Sequence, residues 1–185
     1  SKIERFPIIT VLRTQFKVSL VAVFIVGLGA SITNLLFLFV PSYLTTVLHI
    51  QTNDFIWLKT LAVFIGSVLS LPFGMLADRF NHKALLLLLV ILSLAFCYPI
   101  FYLYSHQFNW YPLALLLSAI LLGFCWGIIP SLLANLFPTQ VRYSGVALAY
   151  NLGFASFGGL APLIGMALIE KTQRATSPSL YLLFA

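Results

Sequence analysis

ALLLLLVILSLAFCYPIFYLYSHQFNWYPLALLLSAILLGFCWGIIPSLLANLFPTQV, residues 84–141, contains no lysine, arginine, aspartate or glutamate. One helical crossing of a bilayer needs about 20 apolar residues. This run is long enough for two crossings, with the polar break Ser105–Trp110 between them. A second uncharged run covers residues 18–53. Only 8% of the 185 residues are charged and the mean hydropathy is +1.04, a composition that a water-soluble domain does not tolerate. In lipid each backbone polar group must be satisfied within its own segment, so the chain is read as an all-α membrane protein.

Outward from that run, the connectors His49–Asp54, Asp78–Lys83, Ser105–Trp110, Phe137–Tyr143 and Glu170–Ser179 divide the chain. They leave five complete spans, about 18–47, 55–77, 84–104, 111–136 and 144–169, and the start of a last helix at 181. The first apolar run is too long for a signal peptide and further spans follow it. Trp57, Tyr102, Tyr104, Trp110, Tyr111 and Tyr143 fall near span ends, where amphipathic rings settle at the headgroup level. With the N-terminus inside, Lys2, Arg5, Arg13, Lys17, Arg79, Lys83 and Arg142 share one side, and Lys59, Lys171 and Arg174 the other. That asymmetry predicts a cytoplasmic N-terminus. Residues 1–17 are expected to form a basic lead-in on the cytoplasmic membrane surface. The net charge of +6 is then explained by lipid and topology, and no nucleic-acid partner is expected. Cys97 and Cys125 sit inside apolar runs and read as small core residues.

The spans differ in their faces. The third is apolar all round and is expected to face lipid. The first aligns Gly27, Ser31 and Asn34 on one face. The second places Gly66, Ser70 and Gly74 at every fourth residue, a ridge that lets another backbone approach closely. The fourth carries Gly123, Trp126, Gly127, Pro130 and Asn135; the fifth carries Tyr150, Asn151, Gly153, Ser156, Gly158, Gly159 and Pro162. Pro41, Pro99, Pro130 and Pro162 mark candidate kinks.

Between the second and third spans stands Gly74-Met-Leu-Ala-Asp78-Arg79-Phe80-Asn81-His82-Lys83. It resembles the signature loop of the major facilitator superfamily, Gly-x-x-x-Asp-Arg-x-Gly-Arg-Arg/Lys. Gly74, Asp78, Arg79 and Lys83 match; Asn81 and His82 depart. A second stretch, Leu136-Phe-Pro-Thr-Gln140-Val-Arg142-Tyr-Ser-Gly145, leads into Tyr150-Asn151 and Gly158-Gly-Leu-Ala-Pro162. Together with Pro41-x-Tyr43-Leu44 it is similar to the metabolite:proton symporter branch, which includes proline/betaine and α-ketoglutarate carriers. Asn135 and Gln140 stand where that branch has Glu and Arg. The resemblance implies that Gly74, Asp78, Arg79, Lys83, Asn135, Gln140 and Arg142 belong to a cytoplasmic gate. With two charges replaced by neutral side chains, the expected consequence is a weaker inward-side latch.

The resemblance aligns the chain with the C-terminal half of a twelve-helix carrier, five full helices and a truncated sixth. Such halves contain inverted three-helix repeats. It implies spans one and four at the cavity, two and five at the interface between halves, and three outside. A single half cannot enclose a central pathway, so the expected partner is an N-terminal six-helix half, the chain then being part of a longer protein, or a second copy. The bilayer expected from the resemblance is a bacterial inner membrane.

No charged residue lies deep in a span; Lys59 is nearest and can snorkel to the interface. A proton-carrying residue is therefore expected in the other half. Asn34, Phe37, Trp126, Tyr150 and Asn151 are the substrate-lining candidates. An amide can bond a carboxylate, and aromatic faces attract a quaternary ammonium; an Asn or Tyr can equally serve to bond a neighbouring helix. The implied function is proton-coupled secondary transport of a small polar metabolite, either a zwitterionic osmolyte or a dicarboxylate. The lack of a fixed cation within the spans tilts that choice toward a zwitterion. A non-transporting sensor or assembly half-module is the competing reading. No enzyme, metal site or cofactor is expected, because no metal-ligand spacing or activated nucleophile is visible.

Overall fold

Five helices long and apolar enough to cross a membrane stand out in a computed structural model, which describes residues 11, 13–49, 53–106 and 110–184. They are α1 (Phe16–Thr46), α2 (Asn53–Ala77), α3 (His82–His106), α4 (Tyr111–Leu136) and α5 (Arg142–Thr172). A short 3-10 turn, Ser177–Leu180, leads into α6 (Tyr181–Phe184). Among the described residues there is no strand. Of the basic lead-in, Arg13 and Lys17 are exposed, while Lys2 and Arg5 lie outside the described residues, as do 50–52 and 107–109 of two connectors.

The bundle is built on two centres. α1 and α4 bury most of their surface, whereas α2 and α5 leave most of theirs bare. α2 packs along α4 more extensively than any other pair. The reason is the small-residue ridge. A Cβ on Gly123 would stand 2.7 Å from the Gly66 carbonyl oxygen, and one on Gly127 would stand 2.7 Å from the Ser70 carbonyl and 3.0 Å from the Gly74 nitrogen. Without side chains at these points the two backbones touch, which is how helices gain packing energy in a solvent as apolar as themselves. α3 lies on the other side of α4. Its buried stripe is Leu85, Leu89, Ser93, Cys97, Ile100 and Tyr104, while Leu87, Ile91, Leu94 and Tyr98 are exposed. The span expected to face lipid all round therefore presents one face to lipid and packs the other on α4 and the C-terminal segment.

At the far end from the α2–α3 loop, rings from three helices close the core. Phe55, Tyr104 and Tyr111 meet with centroids 5.5–6.1 Å apart and planes steeply tilted. Tyr104 and Tyr111, expected at the membrane surface, are buried in this cluster, whereas Trp57, Tyr102, Trp110 and Tyr143 are exposed. A tyrosine near a helix end serves either role, and here neighbouring helix ends claim two of them.

α1 and α5 are each interrupted in mid-span. In α1 a wide π-helical segment, Asn34–Phe39, separates α-helix Phe16–Thr33 from Val40–Thr46. In α5 the segment Phe154–Gly158 does the same between Arg142–Gly153 and Ala161–Thr172. Gly159 N–H reaches the Phe154 carbonyl five residues back at 2.8 Å. Both segments precede a proline, Pro41 and Pro162, whose ring nitrogen cannot donate to the carbonyl four residues earlier. One extra residue in the turn moves the helix past that defect. Pro99 and Pro130 lie inside α3 and α4 with the helix continuous around them, as does Pro72 in α2.

Candidate functional site

The two breaks meet. The α-helical first part of α1 packs on the π segment of α5, and the π segment of α1 packs on the last part of α5. Their contact is close because Gly158 has no side chain: a Cβ there would stand 2.5 Å from Nδ2 of Asn34. The widened turn of α5 leaves the Phe157 carbonyl in need of a donor, and Tyr181 of α6 supplies it, its hydroxyl donating at 2.6 Å. Ser31 of α1 stands 3.5 Å from the same hydroxyl.

Beside this crossing, three rings form an aromatic wall. Trp126 of α4 lies nearly parallel to Tyr150 (centroids 6.1 Å, planes 19° apart) and to Phe154 (5.5 Å, 14°) of α5. Tyr150 and Phe154 are one helical turn apart and nearly parallel to each other. The indole is fixed at its edge as well: Nε1–H donates to Thr33 Oγ1 at 2.8 Å, and that hydroxyl donates to the Gly29 carbonyl at 2.9 Å. Thr33 thereby both accepts and donates, and Trp126 is held by α1 and α5 together. Trp126 and Tyr150 are partly buried and Phe154 is exposed. From Tyr150 an open cavity of about 540 Å³ runs between α4 and α5, lined by Pro130, Ala134, Thr139, Arg142, Tyr143, Val146 and Ala147. Arg142 is part of that lining, with Nε donating to the Phe137 carbonyl at 3.3 Å. The cavity thus brings aromatic rings and a cation to one lining.

Of the five lining candidates, Trp126 and Tyr150 come together in this wall. Asn34 is half-buried against Gly158, at the start of the α1 break. Phe37 is only 7% exposed and packs in the core. Asn151 is exposed, and its Nδ2 donates to the Ala147 carbonyl of its own helix at 2.8 Å, as an amide does when it back-bonds within a helix. Phe154 and Thr33 are not among the five. The sequence marks Phe154, which repeats the aromatic of Tyr150 four residues on, but not Thr33, to which only the α1–α4 crossing gives a role.

The signature-loop residues gather at one end of the bundle. Gly74 sits against Gly127. Asp78 accepts from Ser131 Oγ at 3.3 Å, and Ser131 Oγ lies 3.3 Å from Nε2 of His82. Nδ2 of Asn135 lies 2.9 Å from the same Nε2 and also donates to the Ser131 carbonyl at 2.9 Å. Asn81, a departure from the family pattern, caps α3: its Oδ1 accepts from the Lys83 backbone N–H at 2.9 Å, a role at which asparagine is among the strongest residues. Arg79 and Lys83 are exposed and, with His82 and Asn135, rim a second cavity of about 730 Å³. Gln140 and Arg142 are not in this network; Gln140 is exposed in the turn before α5, and Arg142 belongs to the first cavity. Ser131, which joins Asp78 to His82, gave no signal in the sequence.

A family model described as the Major Facilitator Superfamily matches residues 19–185. The citrate-proton symporter of Klebsiella pneumoniae is 31% identical over 177 residues, which cover 94% of this chain and 40% of that protein. The glycine betaine/proline/ectoine/pipecolic acid transporter OusA of Dickeya dadantii is 32% identical over 151 residues, 80% of this chain and 30% of that protein. The proline/betaine transporter of Escherichia coli is 30% identical over 151 residues, again 80% and 30%. The chain thus spans less than half the length of these relatives. No solved structure matches the chain.

Proposed function

The chain belongs to the major facilitator superfamily, and we propose that it works as the C-terminal half of a proton-coupled symporter that moves a small polar metabolite by alternating access. In this reading the partner is an N-terminal six-helix half, or a second copy, lying against the bare faces of α2 and α5. The end bearing the α2–α3 loop faces the cytoplasm of a bacterial cell.

The observation that carries the proposal is the Trp126–Tyr150–Phe154 wall at the crossing of two interrupted helices. Continuous helices satisfy their own backbone, and irregular backbone at membrane depth is tolerated where it is buried in protein or lines a cavity. A wall of parallel rings there offers negative faces to a desolvated cation. The substrate proposed first is therefore a zwitterion with an alkylated ammonium, and OusA and the proline/betaine transporter are relatives named for such substrates. Arg142 in the cavity lining favours a second reading, a di- or tricarboxylate. It places a fixed cation beside the path, and a citrate-proton symporter is also a relative.

The test is uptake by the full-length protein in proteoliposomes under an imposed proton gradient, with betaine, proline and citrate offered separately. Betaine or proline uptake that falls at least about tenfold in W126A, against less than twofold in N151A, is expected, since a desolvated cation–π contact contributes roughly 2 kcal/mol. Citrate uptake that is lost in R142Q and spared in W126A would establish the second reading. Absence of gradient-driven uptake of all three would favour the non-transporting module.

A further inference from the structure

The hydrogen bonds around His82 have only one consistent direction. Nδ2 of Asn135 is a donor and nothing else. Its bond to the Ser131 carbonyl fixes which way the amide points, so its second proton is directed at Nε2 of His82, 2.9 Å away. Nε2 must then accept, and a neutral imbidazole here carries its proton on Nδ1. Ser131 Oγ, 3.3 Å from Nε2, directs its own proton to Asp78. The first turn of α3 is thereby fastened to the last turns of α4 by bonds that contain no cation.

A proton arriving at Nε2 reverses this arrangement. Donor would face donor at Asn135. The imidazolium would instead donate to Ser131 Oγ, which still has lone pairs to accept with, and through that hydroxyl approach the Asp78 carboxylate. The charged side chains around the imidazole are few. Arg79 and Lys83 share its cavity and oppose a further positive charge, while Asp78 favours it. α1 contributes Val21 and Ile25 to that cavity, with Lys17 one turn before Val21, and α4 contributes Leu132 and Leu136. Histidine is the side chain whose charge ordinarily changes near neutral pH.

We propose that His82 is a positioning residue that answers to protons: unprotonated at Nε2 it pins α3 to Asn135, and protonated it releases Asn135 and pulls on Ser131 and Asp78 instead. The proton comes from solvent at that face, and no covalent bond changes. If that face is cytoplasmic, as proposed above, acid delivered inward by symport would act back on the gate. The structural switch itself does not depend on the sidedness or on transport.

The experiment uses the full-length protein in lipid nanodiscs with an environment-sensitive bimane attached at A134C, beside Asn135 in the first cavity. The native Cys97 and Cys125 are buried and free, and any cysteine elsewhere in the full-length protein is replaced so that the dye reports one site. Emission is followed between about pH 8 and pH 5, the range in which histidine changes charge. The parent is expected to shift. H82Q keeps an uncharged acceptor and should stay at the high-pH emission throughout. H82R carries a fixed cation that cannot accept from Asn135 and can donate toward Ser131 and Asp78, and should stay at the low-pH emission throughout. The opposite end points separate a switch from simple loss of structure, which would send both variants the same way. A parent that does not shift, an H82Q that titrates like the parent, or two variants resting at the same emission would overturn the proposal. Loss of uptake with the shift intact would instead count against the transport reading alone.

Discussion

The α2–α4 and α1–α5 contacts use the same residue for opposite ends. Along α2–α4, glycine removes side chains so that two unbroken helices touch backbone to backbone: a Cβ on Gly123 or Gly127 would meet a carbonyl oxygen at 2.7 Å. Along α1–α5, glycine makes room for side chains. Gly27 receives the ring of Phe157, Gly153 receives Val26, and Gly158 receives the amide of Asn34. There both helices are broken, and polar groups from Tyr181 and Asn34 occupy the gaps. The first contact is a seam with nothing left to rearrange. The second is a joint whose hydrogen bonds have partners on other helices, and it is beside the second that the aromatic wall stands. Rigidity and chemistry are assigned to different helix pairs of one small bundle.

The sharpest way to break this contrast is to add one methyl-bearing side chain to each contact. G127V would drive atoms into the Ser70 carbonyl and Phe73 Cβ, which cannot move without separating α2 from α4. Overpacking against backbone of this kind is expected to cost about 3 kcal/mol. It should appear as a large loss of thermally stable, monodisperse protein after extraction. G27A places its Cβ 2.5 Å from Cδ2 and 2.8 Å from Cγ of Phe157, a side chain and not backbone, and should cost less than G127V, about 1–2 kcal/mol. Equal losses in the two variants would mean that the α1–α5 contact is as rigid as the seam.

How much of this was legible beforehand follows the same division. The seam was visible because Gly66, Ser70 and Gly74 recur at helical spacing, and such a ridge has one use in lipid. Which helix would meet it was not visible, because Gly123 and Gly127 are spaced to suit several partners. The breaks were visible only as Pro41 and Pro162. No side chain has a strong preference for a π turn, so the sequence could mark a weak point without its form or extent. Trp126 and Tyr150 meet in the wall, while Phe37 packs in the core and Asn151 bonds within its own helix: residue type and depth do not say which way a helix is rotated. His82 and Asn135 were noted as separate departures from a family pattern. Their contact joins positions 53 apart and makes them one feature.

A finer probe of the joint is Y181F. The Tyr181 hydroxyl is what satisfies the Phe157 carbonyl in the widened turn, at 2.6 Å from a helix 24 residues away. Removing the donor leaves a carbonyl unpaired in an apolar setting, at a cost of about 1–3 kcal/mol. If the joint is an independent unit, the cost is confined to it. Backbone hydrogen exchange should then rise across Phe154–Gly158 and the facing part of α1, with α2 and α4 unchanged. Exchange rising along the seam as well would show that the two contacts open together, and the division drawn above would fail.

The smallest expected effect comes from T33V, and it asks what holds the wall in place. Trp126 has two supports, the Thr33 hydroxyl at its edge and the rings of Tyr150 and Phe154 on its face. Valine keeps the shape of threonine and removes the acceptor, leaving the indole N–H unpaired for roughly 1 kcal/mol. If the stacked rings alone fix the indole, its fluorescence should keep its emission maximum and its anisotropy in full-length protein whose other tryptophans, Trp57 and Trp110 included, are replaced by phenylalanine. If the hydrogen bond is what aligns it, the indole turns toward water in the cavity, the emission moves to the red and substrate affinity falls with it. The second outcome is the expected one, because parallel rings 5.5–6.1 Å apart leave the indole free to slide across them. A bond at its edge restricts that sliding. The wall would then be set by α1, one of the two buried centres of the bundle, and any movement of α1 against α5 would move the site with it.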